Sequence, residues 1–378
     1  MFFDWLSCYQ DYPHDLPIIA KQGYAIFNFE DGSFSPIRQA KVHHEGSFST
    51  SIQVKVTHNR IAISGNPSRF NRLDNLVGLP TLEQCIAVYN DILASLGLPS
   101  LTRCRFISFI DKPKSEAQTH KLKVVADGCV ITEIHLTSNV SVGQGCEQTY
   151  LKALSMLPYK NSVPRLHTDG NTTDWLSKLG KSRLEYPKVY NKAHEIRLHA
   201  LPEVKRKYGE DTQEYGYMLD LVHYCEALGV VRFEQKLRSP FLTKHNLQYW
   251  GLSDYSQLKT LHDTFKSIDK KLKVSHMNLQ TISETLLNEH IVETTRAANT
   301  TALYALNWMN GQHFDMTKKQ VQTHRARLRQ IGIDIAKPCN LLTFSPVILK
   351  ETIEIEKKDF VPPPFYRYPK ANHIKLVA

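Results

Sequence analysis

Three short stretches of the sequence set polar side chains at alternate positions beside apolar ones, the spacing at which residues share one face of a β-strand. Ile131-Thr132-Glu133-Ile134-His135-Leu136 puts Glu133 and His135 on one side, with Val130, Thr132, Ile134 and Leu136 on the other. Val231-Arg232-Phe233-Glu234-Gln235-Lys236-Leu237 opposes Arg232, Glu234 and Lys236 to Val231, Phe233 and Leu237. Lys188-Val189-Tyr190-Asn191-Lys192 aligns Lys188, Tyr190 and Lys192. If these strands are neighbours in one sheet, its polar face gathers two carboxylates, an imidazole, a phenol and several cations.

Those groups suit transfer of a phosphodiester strand. A phenol, with an ordinary pKa of about 10, must lose its proton to attack at neutral pH. Lys192 and Arg232 would stabilise the phenolate, and a divalent cation on Glu133, His135 and Glu234 would polarise the phosphate. Carboxylates with a single imidazole suit Mg²⁺ or Mn²⁺ better than zinc. A half-exposed sheet face also carries Glu, His, Lys and Arg merely because it meets water, and spacing alone leaves both readings open.

Other polar groups offer less. Tyr150 and Tyr224 sit in helix-like segments and read as core or interface aromatics. His194-Glu195 and His199 miss the HExxH spacing by one residue, and His43-His44 in a strand point to opposite faces. Tyr186 is near enough to Tyr190 to be a spare nucleophile, but Pro187 after it suggests a turn.

The elements that must carry these residues mix without βαβ alternation. Ile52, Val54 and Val56 alternate, the turn residues His58-Asn59 follow, and Arg60-Ile61-Ala62-Ile63 completes a hairpin with one dry side. Gly65-Asn66-Pro67-Ser68 is a turn. Residues 81–96 have helical spacing, with Gly97 as the stop. Strands are expected near 130–137, 188–192 and 230–237, with a helix over 213–228 feeding the last. Residues 256–330 read as helical. The expected fold is α+β: an antiparallel-sheet domain over residues 1–250, a smaller helical domain over 251–345, and an extended tail over 346–378. No Gly-rich phosphate loop is present, which weighs against a kinase, ATPase or dehydrogenase.

Composition agrees with a soluble folded chain: 378 residues, 42% hydrophobic and 22% charged. The net charge of +10 favours a polyanion or an anionic membrane surface as partner. The start lacks a secretory signal and no apolar run approaches the ~20 residues of a membrane span, so a cytoplasmic, non-membrane protein is expected. Seven scattered cysteines without a CxxC pair read as reduced, mostly buried thiols.

Toward the end, residues 314–330 begin at an N-cap residue, Thr317 or Asp315, and keep Val321 and Leu328 for the inside. Lys318, Lys319, Arg325, Arg327 and Arg329 populate the outside, and Gly332 ends the segment. A cation-dense helix after a tight turn matches the recognition helix of a helix-turn-helix, with Gln320, Gln322, Thr323 and His324 free to face base edges. A solvated basic helix has the same pattern.

Leu179-Gly180-Lys181-Ser182-Arg183 leading into Lys188-Val189-Tyr190-Asn191-Lys192-Ala193-His194-Glu195, then Gly229-Val230-Val231-Arg232-Phe233-Glu234-Gln235-Lys236-Leu237-Arg238-Ser239, resembles the gene II/X-type replication initiators of filamentous phages. His44-Glu45-Gly46-Ser47-Phe48-Ser49 and Ser64-Gly65-Asn66-Pro67-Ser68-Arg69-Phe70-Asn71-Arg72 are similar to the vibrio-phage branch, the RstA-like proteins. The resemblance covers nearly the whole chain. It implies a rolling-circle nickase of the host bacterial cytoplasm, with a covalent 5′-phosphotyrosine intermediate and a metal ion. Its partners would be phage origin DNA, double- and single-stranded, and the host helicase and polymerase; the oligomeric state is left open. The resemblance implies Tyr190 as the attacking residue and Glu234 as a metal ligand with Arg232 beside it. Where the family commonly has Arg-Ile-Asp on a strand before the tyrosine, this chain has Glu133-Ile134-His135, so His135, with Glu133, would replace the Asp. It also implies origin binding by the helix carrying Lys318, Lys319, Gln322, Arg325, Arg327 and Arg329. The missing Asp motivates the alternative of a non-catalytic DNA-binding regulator of phage replication or transcription.

Overall fold

Alternating apolar residues build an antiparallel sheet with one dry face. The computed structural model describes residues 1–35, 37–43, 52–112, 121–182, 184–271, 279–309, 312–337, 355 and 357–369. The 44–49 block and Arg183 of the sequence analysis lie outside them, as does one of the seven cysteines, Cys339. Strands β1 (Phe2–Asp11), β2 (Gln53–Thr57), β3 (Arg60–Gly65), β4 (Val130–Ser141), β5 (Glu185–Asn191) and β6 (Val230–Arg238) run in the order β5-β6-β4-β1-β3-β2. Each neighbouring pair is antiparallel. Leu6, Cys8, Val54, Val56, Ile61, Ile63, Ile131, Ile134 and Leu136 line the dry face and share a core with helix α1 (Leu82–Ser95). Thr81 caps that helix instead of opening it, and Gly97, at φ +68°, follows its end as the expected stop.

The α+β expectation holds. What the sequence analysis does not anticipate is β1, which lies at the centre of the sheet between β4 and β3. Its register shifts twice against β4, between Phe3 and Trp5 and between Ser7 and Cys8. The first shift leaves Asp4 as an extra residue of β1 and inverts its facing there, so the alternation of Leu6, Cys8 and Gln10 inward does not continue back to Phe3; the second leaves the extra residue, Thr132, on β4. Pro187 also differs from expectation: it lies inside β5, opposite Gln235, and is strand rather than turn. Helix α2 (Gln213–Leu228) feeds β6 through Gly229, at φ +62°. A Cβ there would stand 1.8 Å from the Gly143 carbonyl oxygen, so glycine is required both for the left-handed cap and for the close approach.

The contacts divide the chain into two units. One comprises the described residues of Met1–Gln144, Ser182–His262 and Lys358–Ala378; the other, Gly145–Lys181 and Asp263–Lys357. This differs from the linear division at 250 and 345. Residues 145–181 pack with the later helices, and the tail belongs to the sheet unit, where Lys358–Asp359 pair with β4 and Tyr366 is buried. In the second unit α3 (Leu279–Asn288), α4 (Thr295–Met309) and α5 (Lys319–Gln330) close on Ile282, Leu286, Ala298, Ala302, Val321 and Leu328. Among the described residues the cysteines are free and no helix is long and apolar enough to cross a membrane.

Candidate active site

The strands bearing the polar pairs are neighbours. Tyr190 lies directly opposite Arg232, and Lys188 opposite Glu234; on the other side of β6, Arg232 is opposite Asn139, Glu234 opposite Thr137 and Lys236 opposite His135. One face therefore carries the phenol, the guanidinium, both carboxylates and the imidazole. The Tyr190 hydroxyl donates to Glu234 Oε2 at 3.3 Å. Lys188 Nζ stands 3.1 Å from the same oxygen and 4.9 Å from the Tyr190 ring centre. His135 bridges the carboxylates, with Nε2 2.9 Å from Glu133 and Nδ1 3.3 Å from Glu234 Oε1.

These contacts set the ionisation of the nucleophile and its acceptor. Burial raises the Tyr190 pKa well above the ordinary phenol value, the Glu234 charge raises it further, and Arg232 opposes both. Burial alone would raise the Glu234 pKa, but the Lys188 charge and the His135 contact outweigh it and hold the carboxylate well below its usual range. Burial likewise works to raise Glu133, and His135 with Lys236 brings it down. At rest, then, the phenol is protonated and its partner is a weak base.

Lys192 and Arg232 occupy a deeper layer. Lys192 heads the helical run over 192–208, is 1% exposed, and donates to Asn75 Oδ1 at 2.9 Å and Glu195 Oε2 at 2.5 Å. Its ammonium is thus committed to Glu195 instead of to the phenol. Arg232 is completely buried and donates to Asn139 Oδ1 at 2.8 Å and to the carbonyls of Asn75 and Leu76 at 2.7 and 3.0 Å. Its Nη1 has no hydrogen-bond partner and lies 3.7 Å from Asp4 Oδ2. Burial disfavours the charge on Arg232, while Tyr190, Asp4, Glu195 and Glu234 restore it and carry its pKa above the usual value.

Asp4, Asn66, Asn75 and Asn139 are site residues to which sequence reasoning gives no role, and Glu195 is given one there only in a rejected zinc motif. Asn66 and Asn75 each donate to Asp4 Oδ1 at 2.8 Å. Asp4 is the extra residue of the first β1 bulge, and the signal for it, an acid inside the apolar start, is legible as composition only. Trp5, immediately after, stacks on His135 with ring centres 5.7 Å apart and planes 23° apart.

As donor types, Glu133, His135 and Glu234 suit a hard divalent cation. As arranged they face one another and Lys188, and among the described residues no group of three or more His, Cys, Asp or Glu side chains is disposed to hold a metal ion.

In the second unit, the basic segment forms α5, with Lys318 at its N-cap in place of Thr317 or Asp315; the Asp315 carboxylate accepts from Thr317 N and Oγ1 at 3.0 and 2.6 Å. Lys318, Lys319, Gln322 and Arg329 are exposed, and Arg325 and Arg327 half-buried. Arg325 makes a two-point pair with Asp334 at 2.7 and 3.2 Å, and Gln322 donates to the Met316 carbonyl at 3.0 Å. His324 does not face outward as expected: it is 6% exposed, lies 2.9 Å from Thr301 Oγ1 and stacks on Tyr304. It falls at the i+3 position from Val321, on the same helical stripe as Leu328, which is why the core takes it.

Against known proteins, the family model for the N-terminal part of the replication-associated protein of gene II type matches residues 1–258, and the model for the C-terminal part of the same protein matches residues 286–372. The chain is 52% identical over 325 residues to the gene II-type replication-associated protein of Escherichia phage If1, an alignment covering 86% of this chain and 99% of that protein. No solved structure matches the chain.

Proposed function

The chain belongs to the gene II-type family of phage replication-associated proteins, and we propose on that footing that it initiates rolling-circle replication, cutting one strand of a phage origin with Tyr190 and later rejoining it. The observation that carries this reading is the 3.3 Å contact between the Tyr190 hydroxyl and Glu234, on a face that also presents Arg232 and Lys188. A nucleophile, a proton acceptor and cations for a phosphate converge within one patch.

The resting arrangement keeps the phenol protonated, and the substrate itself supplies the trigger. A phosphodiester entering the site brings negative charge that attracts Lys188, while Arg232, completely buried beside the phenol, favours its ionised form. As Lys188 turns to the phosphate, Glu234 loses the cation that depresses its pKa and becomes a stronger base for the phenol proton beside it. The phenolate oxygen then attacks phosphorus in line, the bond to the 3′ oxygen breaks, and solvent supplies the proton that completes the 3′-hydroxyl. A host polymerase extends that hydroxyl. Because the phosphotyrosyl ester conserves the energy of the phosphodiester, a later attack by a 3′-hydroxyl rejoins the strand without nucleotide hydrolysis.

A Mg²⁺ or Mn²⁺ ion, implied by the family resemblance, would supply charge neutralisation at the phosphate if Glu133, His135 and Glu234 turned toward it. The proton transfer and attack above do not run through it. In the second unit, Lys318, Lys319, Arg327 and Arg329 give α5 a cationic surface for the origin duplex, with Gln322 beside them.

The test is a denaturing gel of the full chain with labelled origin DNA. A protein–DNA adduct through a 5′-phosphate is expected, and Tyr190→Phe abolishes it while origin binding persists. An adduct that survives in Tyr190→Phe refutes the assignment; DNA binding without any adduct in the parent favours a regulator that has kept the fold alone.

A further inference from the structure

Trp5 reaches the reactive face only because β1 is bulged. Phe2 lies opposite Thr137 and Phe3 opposite Leu136; Asp4 is then the extra residue, and Trp5 falls opposite His135. In unbroken register Trp5 would share the dry face with Phe3, and a tryptophan of that size would be core. Instead it is half-buried, its ring lies nearly parallel to His135, and its Nε1–H donates to Ser7 Oγ at 2.8 Å, which fixes the orientation of the indole. Cations share that face further along it: Lys236 lies opposite His135 and 3.7 Å from Glu133, and Lys188 is opposite Glu234 and 3.1 Å from it. Both remain about one-quarter exposed at the side chain, at 26% and 29%.

A rigid, partly open aromatic plate on a sheet face that carries Lys236 two strands away and Lys188 three, continuous with a phosphate-cutting site, is an arrangement that accepts single-stranded nucleic acid. Bases stack on the ring while phosphates follow the cations, and the π-face serves any base. We infer that Trp5 is a stacking platform for one base of the single strand held at Tyr190. The inference rests on the nicking reading and deepens it by saying where the strand runs: from β5 across β6 and β4 to β1. Side-chain contacts bound the gap: the Tyr190 hydroxyl meets Glu234 at 3.3 Å, Glu234 meets His135 at 3.3 Å, and the indole and imidazole centres lie 5.7 Å apart, so that the ends are roughly 14 Å from each other. A stacked strand advances ~3.4 Å per phosphate and an extended one more, so the stacked base lies about two to four nucleotides from the cut phosphate.

The experiment uses the full chain as Tyr190→Phe, so that no cutting intervenes, titrated with a labelled oligothymidylate and with an abasic strand of the same length. Trp5→Ala is expected to weaken oligothymidylate binding by about 5- to 150-fold, the equivalent of one base–aromatic stack. Trp5→Phe should retain most of the affinity, and Trp5→Ala should leave abasic-strand binding nearly unchanged. Quenching of tryptophan emission on adding oligothymidylate should shrink in Trp5→Phe, a readout that serves even if the alanine variant folds poorly. Equal binding by Trp5→Ala and its parent, or the same loss on the abasic strand, overturns the platform and leaves the indole as a cap on His135. The parent's covalent adduct is measured separately, so an adduct with no stacking sinks this inference alone, and stacking with no adduct sinks the nicking reading alone.

Discussion

The Tyr190 hydroxyl and the Glu234 carboxylate meet at 3.3 Å across β5 and β6, and the fold moves their proton affinities apart. Burial and the neighbouring negative charge raise the phenol; Lys188 and His135 lower the carboxylate. Proton transfer between them is uphill at rest, which protects a buried nucleophile from acting before a phosphate is in place.

The first consequence is a pH profile. Glu234 is ionised and the phenol protonated across the neutral range, and the proton passes between them inside the site. Strand cutting should therefore be nearly flat through neutral pH and fall only in acid, as Glu234 takes up a proton. A rate that climbs tenfold per pH unit near 7 would mean that hydroxide, and not Glu234, removes the phenol proton.

Glu234→Gln keeps the shape of the acceptor and removes its charge. Loss of a positioned base costs typically 10²- to 10⁴-fold in rate, and that drop is expected in single-turnover cutting with origin binding retained. Glu234 also has a folded pKa below its unfolded one, so its pairing with Lys188 contributes stability present above the ordinary carboxylate pKa and lost only as pH falls toward the depressed value. Denaturant melts of the parent and Glu234→Gln should accordingly converge in strong acid.

Much of this site is legible in the sequence because its strands obey a simple period. Glu133 with His135, Arg232 with Glu234 and Lys188 with Tyr190 alternate with apolar partners, and antiparallel neighbours then bring the polar faces together. Asp4 and Trp5 are illegible for the converse reason: Asp4 is the extra residue of a bulge between Phe3 and Trp5, and no local pattern announces a bulge. Glu195 reads in sequence as part of a failed zinc motif, whereas its role is to hold the buried Lys192 ammonium. The tail reads as a surface extension because its prolines forbid a helix, yet the phenol of Tyr366 is what anchors it.

Asp4 stands beside the unpartnered Nη1 of a fully buried arginine, at 3.7 Å. Breaking a buried charge pair by removing one partner costs about 3–5 kcal/mol, and Asp4→Ala also strands the amides of Asn66 and Asn75. The variant should unfold at clearly lower urea concentration. Asp4→Asn, which keeps an acceptor for both amides, should lie between it and the parent.

The Tyr366 hydroxyl donates to Asp74 Oδ1 at 2.8 Å and accepts from Arg72 Nη2 at 2.6 Å and from the Val77 amide at 2.7 Å. The same loop supplies the Asn75 and Leu76 carbonyls that hold Arg232. Tyr366→Phe leaves the Val77 amide without its acceptor and takes one contact each from Asp74 and Arg72, which keep others, at about 1–3 kcal/mol. A lower urea midpoint is expected, and hydrogen exchange should quicken at the amides of Leu76 and Val77; unchanged protection there would uncouple the tail from the loop.

The cations of α5 divide by whether they already have a partner, and salt dependence reads that division. Lys319 and Arg329 are exposed, whereas Arg325 is tied to Asp334 by two hydrogen bonds. If α5 lies against the origin duplex, each phosphate contact removed should lower the slope of log affinity against log salt by about 1. Lys319→Ala and Arg329→Ala should each show that decrease with little change in stability. Arg325→Ala should do the reverse, leaving the slope nearly unchanged and lowering the melting temperature of the protein, because the Asp334 carboxylate beside the helix end loses its hydrogen-bonded cation. Should all three alter the slope equally, Arg325 releases Asp334 to bind phosphate; should none alter it, α5 is a solvated basic helix and the origin is held elsewhere.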